Sequence, residues 1–215
     1  MASNSGSRDL ILERIRAGLR VPVVGSQEPA QGGMIFAPVE NTLERFQQEC
    51  KANLMELTLT SDEQASAEQL AAVLDSLPEG EIFLQDSPVL RRLIERARTA
   101  RLIRWSSEGA PREASQATVS LAEALVAQTG SIFVTAGCGG RGASVVAPCH
   151  IVFATVAQLV PDLATALRNA TEQGTLGKNS YACMISGSSR TADIEKILVQ
   201  GAHGPRRLAV ILQTC

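Results

Sequence analysis

The stretch LMELTLTSDEQASAEQLAAVLDSLPEGEIFLQDSPVLRRLIERARTARLIRWS, residues 54–106, decides the fold. Its short apolar runs, LMELTLT from Leu54, EIFLQD from Glu81 and RLIRWS from Arg101, read as strands. Between them, DEQASAEQLAAVLDSL and SPVLRRLIERARTA repeat their apolar residues at helical spacing. The first helix starts at Ser61 or Asp62 and stops before Pro78. The second takes Ser87 as N-cap and Pro88 at its first position, where a missing N–H leaves no hydrogen bond unmade. Alternating apolar strands and helices predict βαβ units, hence a parallel sheet.

Working outward, the same theme returns in the second half. HIVFAT (from His150) predicts a strand, Val156 to Asn169 a helix, TEQGTLGKNS a loop and YACMIS (from Tyr181) a strand. TADIEKILVQ then predicts a helix and RRLAVIL (from Arg206) a last strand. SLAEALVAQTG, from Ser120, has helical propensity with Gly130 as its stop, and SIFVTAG after it is strand-like. The expected architecture is α/β, a three-layer α/β/α sandwich of about six or seven strands and about six helices. Upstream, SRDLILERIRAGLR spaces Leu10, Ile11, Ile15 and Leu19 near helical period, with Ser7 as N-cap. VPVVGSQEPAQGGMIFAP reads as a Gly/Pro arm, and Thr42 to Ala52 as another helix. The organisation expected is therefore an N-terminal helical arm over 1–53 and one α/β domain over 54–215.

Composition narrows the function classes. The chain has 215 residues, 45% hydrophobic and 20% charged, which excludes disordered and fibrous chains. A net charge of −2 gives no footprint for nucleic acid, and 3% aromatics supply no stacking platform for single strands. No apolar run has the length of a membrane span, and MASNSGSRDL lacks a leader's apolar region, so a cytoplasmic protein is expected. The five cysteines, Cys50, Cys138, Cys149, Cys183 and Cys215, form no C-x-x-C pair. Reduced thiols and no metal centre are the expectation.

Two turns could carry chemistry. Gly137-Cys138-Gly139-Gly140-Arg141-Gly142 follows SIFVTA and is either a flexible turn or a cradle of backbone N–H groups with Arg141 for charge. It matches neither the dinucleotide fingerprint nor the P-loop. Ser186-Gly187-Ser188-Ser189-Arg190-Thr191 follows YACMIS, and offers more hydroxyls than one helix cap needs, which favours anion binding. His150 opens an apolar strand and reads as a hydrogen-bonded structural residue. His203, inside Gly201-Ala202-His203-Gly204-Pro205-Arg206, is poorly explained by packing. Neither histidine has a serine or cysteine at triad-motif spacing.

SGSSRTADIEKILVQGAHGPRRLAVIL resembles the LUD-domain family of lactate utilization proteins, through Gly187, Ser189, Thr191, Asp193, Ile194, Glu195, Gly201, His203, Gly204 and Pro205. TGSIFVTAG and RGASVVAPCHIVFA carry a second likeness at Thr129, Gly130, Arg141, Ser144, Pro148 and His150. The likeness covers roughly residues 115–213 and departs from the family pattern at Gln128, where a glutamate is usual, and at Cys149, usually apolar. The resemblance implies a strand pair around Thr129-Gly130 in place of the helix that propensity gives. It also implies a fold similar to the CoA-transferase and sugar-phosphate-isomerase (NagB/RpiA-like) superfamily.

The resemblance further implies a role in oxidising L-lactate to pyruvate beside iron–sulfur partner proteins that hold the clusters, with no cofactor on this chain. The alternative is an independent small-molecule enzyme, a CoA transferase or cyclo-ligase relative. Gln128 weakens the first of these, for want of a glutamate nucleophile, and the scarcity of lysine (Lys51, Lys178, Lys196) weakens the second. The expected site is one pocket for a small carboxylate or phosphate, lined by Thr129, Gly130, Arg141, Gly187, Ser189, Thr191 and His203. His150, Asp193, Glu195, Gly204 and Pro205 are expected to support it structurally.

Overall fold

The computed structural model describes residues 5–20, 37–109, 112–191, 199–201 and 203–215. The chain divides into two units, Met1–Pro38 and Val39–Cys215. In the first, α1 (Ser5–Leu19) is the expected helix, and its Leu10, Ile11, Ile15 and Leu19 stand exposed. The second holds everything else, including α2 (Thr42–Ala52), which the sequence reading had grouped with the arm. Phe46 and Cys50 explain the change: both are buried in the core of the α/β unit.

The strands of that unit are β1 (Glu56–Thr60), β2 (Glu81–Leu84), β3 (Leu102–Trp105), β4 (Ala117–Leu121), β5 (Ala124–Val126) and β6 (Ser131–Thr135). They continue as β7 (Cys149–Thr155), β8 (Leu159–Val160), β9 (Ala182–Ile185), β10 (Arg190–Thr191), β11 (Val199–Gln200) and β12 (Arg207–Gln213). Helices α3 (Glu63–Asp75) and α4 (Pro88–Ala97) follow β1 and β2, while α5 (Leu163–Glu172) and the short α6 (Thr175–Lys178) precede β9. Their starts are chemically specified. Asp62 accepts from the Ala65 N–H at 2.8 Å, Ser87 from Leu90 at 3.2 Å and Asp162 from Thr165 at 2.7 Å, each satisfying a donor the first turn leaves free.

A six-stranded sheet in the order β1-β12-β7-β4-β2-β3, parallel throughout, forms the centre, as the alternation predicts. Helices α3 and α4 cover one face, packing Leu70, Leu74, Leu90 and Leu93 against Ile151, Ile211 and Val119. The other face meets a second sheet, β8-β5-β6-β9, through Val152, Val210 and Leu212 on one side and Leu125, Ile132 and Val134 on the other. Helix α5 closes the far side of that sheet with Ala166 and Ala170 on Val126 and Phe133. One helical layer of the expected sandwich is thus a small sheet backed by a helix.

Two local expectations are corrected, and a third falls mostly outside the described residues. Ser120 to Gly130 is not a helix but the end of β4 and then β5, which turns at Thr129-Gly130 to pair antiparallel with β6. Ala124, Leu125 and Val126 are all buried between layers, and burial on both faces of a strand outweighs alanine's helix preference. The helix expected over Val156 to Asn169 begins only at Leu163, because β8 pairs with β5 and Asp162 caps the helix after Pro161. Of TADIEKILVQ, expected as a helix, only the ends are described, and they pair in the antiparallel β10–β11 ribbon with Thr191 opposite Val199; residues 192–198 lie outside the described residues. Asp193, Ile194 and Glu195 lie outside the described residues.

Candidate functional site at the amino edge of the central sheet

Because β1, β12 and β7 are consecutive in the parallel sheet, the residues leading into them stand side by side on its amino edge. These are Asn53 and Leu54 before β1, Pro205 and Arg206 before β12, and Ala147 and Pro148 before β7, with neighbouring strands about 4.8 Å apart. The Ser186–Arg190 turn and the Gly201–Arg206 loop join the same edge. The Ser189 N–H donates to the Pro205 carbonyl at 2.8 Å, the Gly201 N–H to the Ser189 carbonyl at 2.9 Å, and the Arg206 N–H to the Pro148 carbonyl at 2.9 Å. The His203 N–H reaches the Ser189 hydroxyl at 3.4 Å.

The Thr129-Gly130 turn arrives from the second sheet. The Asn53 side-chain amide donates to the Thr129 carbonyl at 2.9 Å, and the Asn53 carbonyl accepts from the Arg190 guanidinium at 3.0 Å. Hydroxyls form a chain from Thr129 to Ser131 at 2.7 Å and on to Ser186 at 2.6 Å. Gly130 has φ +61°, and a Cβ there would come within 2.7 Å of the Glu49 Cβ on α2. Only glycine allows this hairpin to seat against the helix. The positions of Gln128 and Cys149 also acquire structural roles. The Gln128 carbonyl faces Arg45 and its N–H donates to Pro161, while the Cys149 thiol is buried among core residues and pushed up to about 11 by burial.

The expected pocket is therefore divided. Thr129, Gly130 and Gly187 meet at Asn53; Ser189, His203, Gly204 and Pro205 meet next to them; Thr191 belongs to β10. Arg141 is elsewhere. Its guanidinium donates to the Ser180 carbonyl at 3.2 Å, at the end of β6 and β9 opposite Thr129 and Ser186. The antiparallel register of β6 with β9 puts Arg141 and the Thr129 turn at opposite ends of that strand pair, a relation that local sequence does not reveal.

A cleft of about 590 Å³ does open on the amino edge, between Val145, Val146 and Pro148 on one wall and Gly201, His203 and Arg206 on the other. The sequence places Arg206 in the His203 loop, but the expected pocket includes neither it nor the two valines. His150, the second residue of β7, is fully buried, with its Nε2 2.9 Å from the Ser120 hydroxyl. Burial pulls its pKa down to about 4, so the ring is neutral in the folded protein.

The carboxyl edge of the sheet is chemically different. The Glu123 carboxylate, just past β4, accepts from the Thr135 hydroxyl at 2.7 Å and lies 3.7 Å from the Cys138 thiol. Burial, and then that carboxylate, push the thiol up to about 11. Glu123 borders a cavity of about 250 Å³ with Gln158, Asn169, Gln173 and Thr175. The helical reading of SLAEALVAQTG concealed it, and a strand assignment placing Glu123 between β4 and β5 was the signal that could have found it. Among the described residues no group of three or more His, Cys, Asp or Glu is arranged to hold a metal ion, and no helix is long and apolar enough to cross a membrane.

Residues 43–213 match the LUD domain family. The chain is 32% identical over 103 residues to lactate utilization protein C 1 of Bacillus mycoides, covering 46% of this chain and 44% of that protein. It is also 32% identical over 97 residues to lactate utilization protein C of Halalkalibacterium halodurans, covering 44% and 42%. The matches span less than half the length of either relative. The crystal structure of a DUF162 family protein from Deinococcus radiodurans shares the fold, with a TM-score of 0.59 over 80% of this chain and 96% of that one at 18% identity. Since the match runs from α2 through the last strand of the central sheet, the chain belongs to the LUD domain family.

Proposed function

We propose that this chain works in lactate utilization, as a cluster-free component that acts with iron–sulfur partner proteins in the oxidation of L-lactate to pyruvate. The observation that carries the reading is the 32% identity to two proteins named lactate utilization protein C, inside a family match that takes in the whole α/β unit. Oxidising a 2-hydroxy acid to a 2-oxo acid removes two electrons and two protons. In this reading the electrons pass to the partners' clusters, and this chain supplies binding and assembly in the cytoplasm. The apolar residues exposed along α1 suit a segment that docks on another subunit.

The test is deletion from the native cell with growth on L-lactate, together with lactate-dependent dye reduction by purified components. Growth should fail on L-lactate alone, and adding the protein to its iron–sulfur partners should raise dye reduction that it does not support by itself. Normal growth after deletion, with no iron–sulfur protein recovered by affinity capture, overturns the reading. Turnover of acyl-CoA pairs, or of ATP with folates, by the isolated protein would install the alternative enzyme in its place.

A further inference from the structure

We propose that the amino-edge cleft between Val145-Val146 and His203-Arg206 is a binding site for a short aliphatic carboxylate. The inference rests on the lactate reading only for its biological meaning, and the binding itself follows from the cleft. Among the described residues Arg206 is the one full positive charge in the lining, His203 adds a polar side chain, and no carboxylate lines the cleft. A lone charge of that kind suits a monoanion.

The arginine stem lies against Gly201 while its side chain stays exposed. Gly201 has φ +78°, and a Cβ there would overlap the Arg206 side-chain stem, which occupies the space against the bare α-carbon. The Ser189–Pro205, Gly201–Ser189 and Arg206–Pro148 hydrogen bonds fix the loop that carries both groups. Gly204 admits the Ser189 Cβ at 3.1 Å from where its own would be, so the serine hydroxyl stays under the His203 N–H.

The opposite wall sets the rest of the ligand. Val145 and Val146 are 42% and 38% exposed, an apolar pair that does not enter the core and faces the cleft. Phosphate has no atoms to place against that wall, and a polyanion would outweigh one arginine. A carboxylate with a two- to four-carbon tail satisfies both walls at once. L-Lactate falls within that class, and so do its close relatives.

The test uses the full chain and isothermal titration with sodium butyrate, sodium L-lactate, butyramide and inorganic phosphate. Butyrate and L-lactate should bind, while butyramide and phosphate should bind at least tenfold more weakly. Arg206→Gln should weaken butyrate at least tenfold, and Val145→Asn should weaken butyrate more than acetate. Arg141→Gln should bind as the parent does. Circular dichroism confirms that the variants fold, and Gly201→Ala, which displaces the Arg206 stem without removing its charge, serves as the second variant with the same expected loss. Butyrate binding that Arg206→Gln leaves unchanged, phosphate binding that exceeds butyrate, or no binding of any carboxylate overturns the site. Arg206-dependent binding combined with normal growth on lactate after deletion keeps the site and removes the lactate reading.

Discussion

The two edges of the central sheet differ in construction. The amino edge gathers Arg190, His203 and Arg206 on loops tied by backbone hydrogen bonds, with bare α-carbons at Gly130, Gly187 and Gly201 where other groups press close. The carboxyl edge carries Asp86 past β2 and Glu123 past β4. Asp86 is neutralised by Arg91 at 2.6 Å, but the Glu123 carboxylate meets only a hydroxyl and a thiol among the described residues. Open α/β sheets usually bind ligands at the carboxyl ends of their strands. Here the second sheet packs on a face of the first, and the Thr129-Gly130 and Ser186–Arg190 motifs tie its near end to the amino edge. The location of a motif after a strand therefore says little until it is known which sheet the strand joined.

The largest expected effect is on pH. His150, buried near the amino end of β7, has its pKa lowered to about 4 in the folded state from 6.5. The unfolded chain thus takes up this proton first on acidification. The stability it contributes is complete above pH 6.5 and falls as pH drops toward 4, by up to about 3 kcal/mol. Urea denaturation at several pH values should show this loss, and His150→Gln should flatten it. An unchanged slope in the variant would assign acid sensitivity to the carboxylates of the other edge.

Two glycines sharpen the contrast next. Gly130→Ala forces a Cβ into Glu49 on α2 and should cost about 2 kcal/mol or more. Gly109, past β3 toward the carboxyl edge, also has positive φ (+67°) but nothing within 4 Å of a Cβ, so Gly109→Ala should cost only about 1 kcal/mol. Equal losses in denaturation midpoint would mean that the hairpin is not seated on α2.

Thiol chemistry gives a smaller, ordered signal. Cys138 is buried and pushed up to about 11, whereas Cys215 is exposed. Iodoacetamide at pH 8 should label Cys215 first and leave Cys138 intact until unfolding, as read by peptide mass spectrometry. Early labelling of Cys138 would show the carboxyl edge to be open. The smallest effect belongs to Arg141→Gln, which gives up one exposed hydrogen bond to Ser180 and should change stability by no more than about 0.5 kcal/mol.

Much of the central sheet was legible because its strands and helices carry local signals: Asp62, Ser87 and Pro88 announce helix starts, and β1, β2, β3, β7 and β12 are apolar runs of strand length. The second sheet was harder. Ala124 and Leu125 favour a helix in isolation and become strand only because both faces are covered, which is a fact about distant residues. The site was legible in its types and not in its grouping. Glycines, Ser189 and His203 stood out, but the register of β6 against β9, which sends Arg141 to the far end, is not written in either segment. Arg206 was visible as the residue after Pro205, and its purpose depends on the space over Gly201.

The most direct test of the amino edge as the ligand edge is a map of backbone amide shifts on titrating the full chain with sodium butyrate. Our account predicts shifts that saturate at Val145, Val146, His203, Gly204 and Arg206, with none at Glu123, Thr135 or Gln158. Saturating shifts confined to Glu123, Thr135 and Gln158, with the amino edge silent, would contradict it.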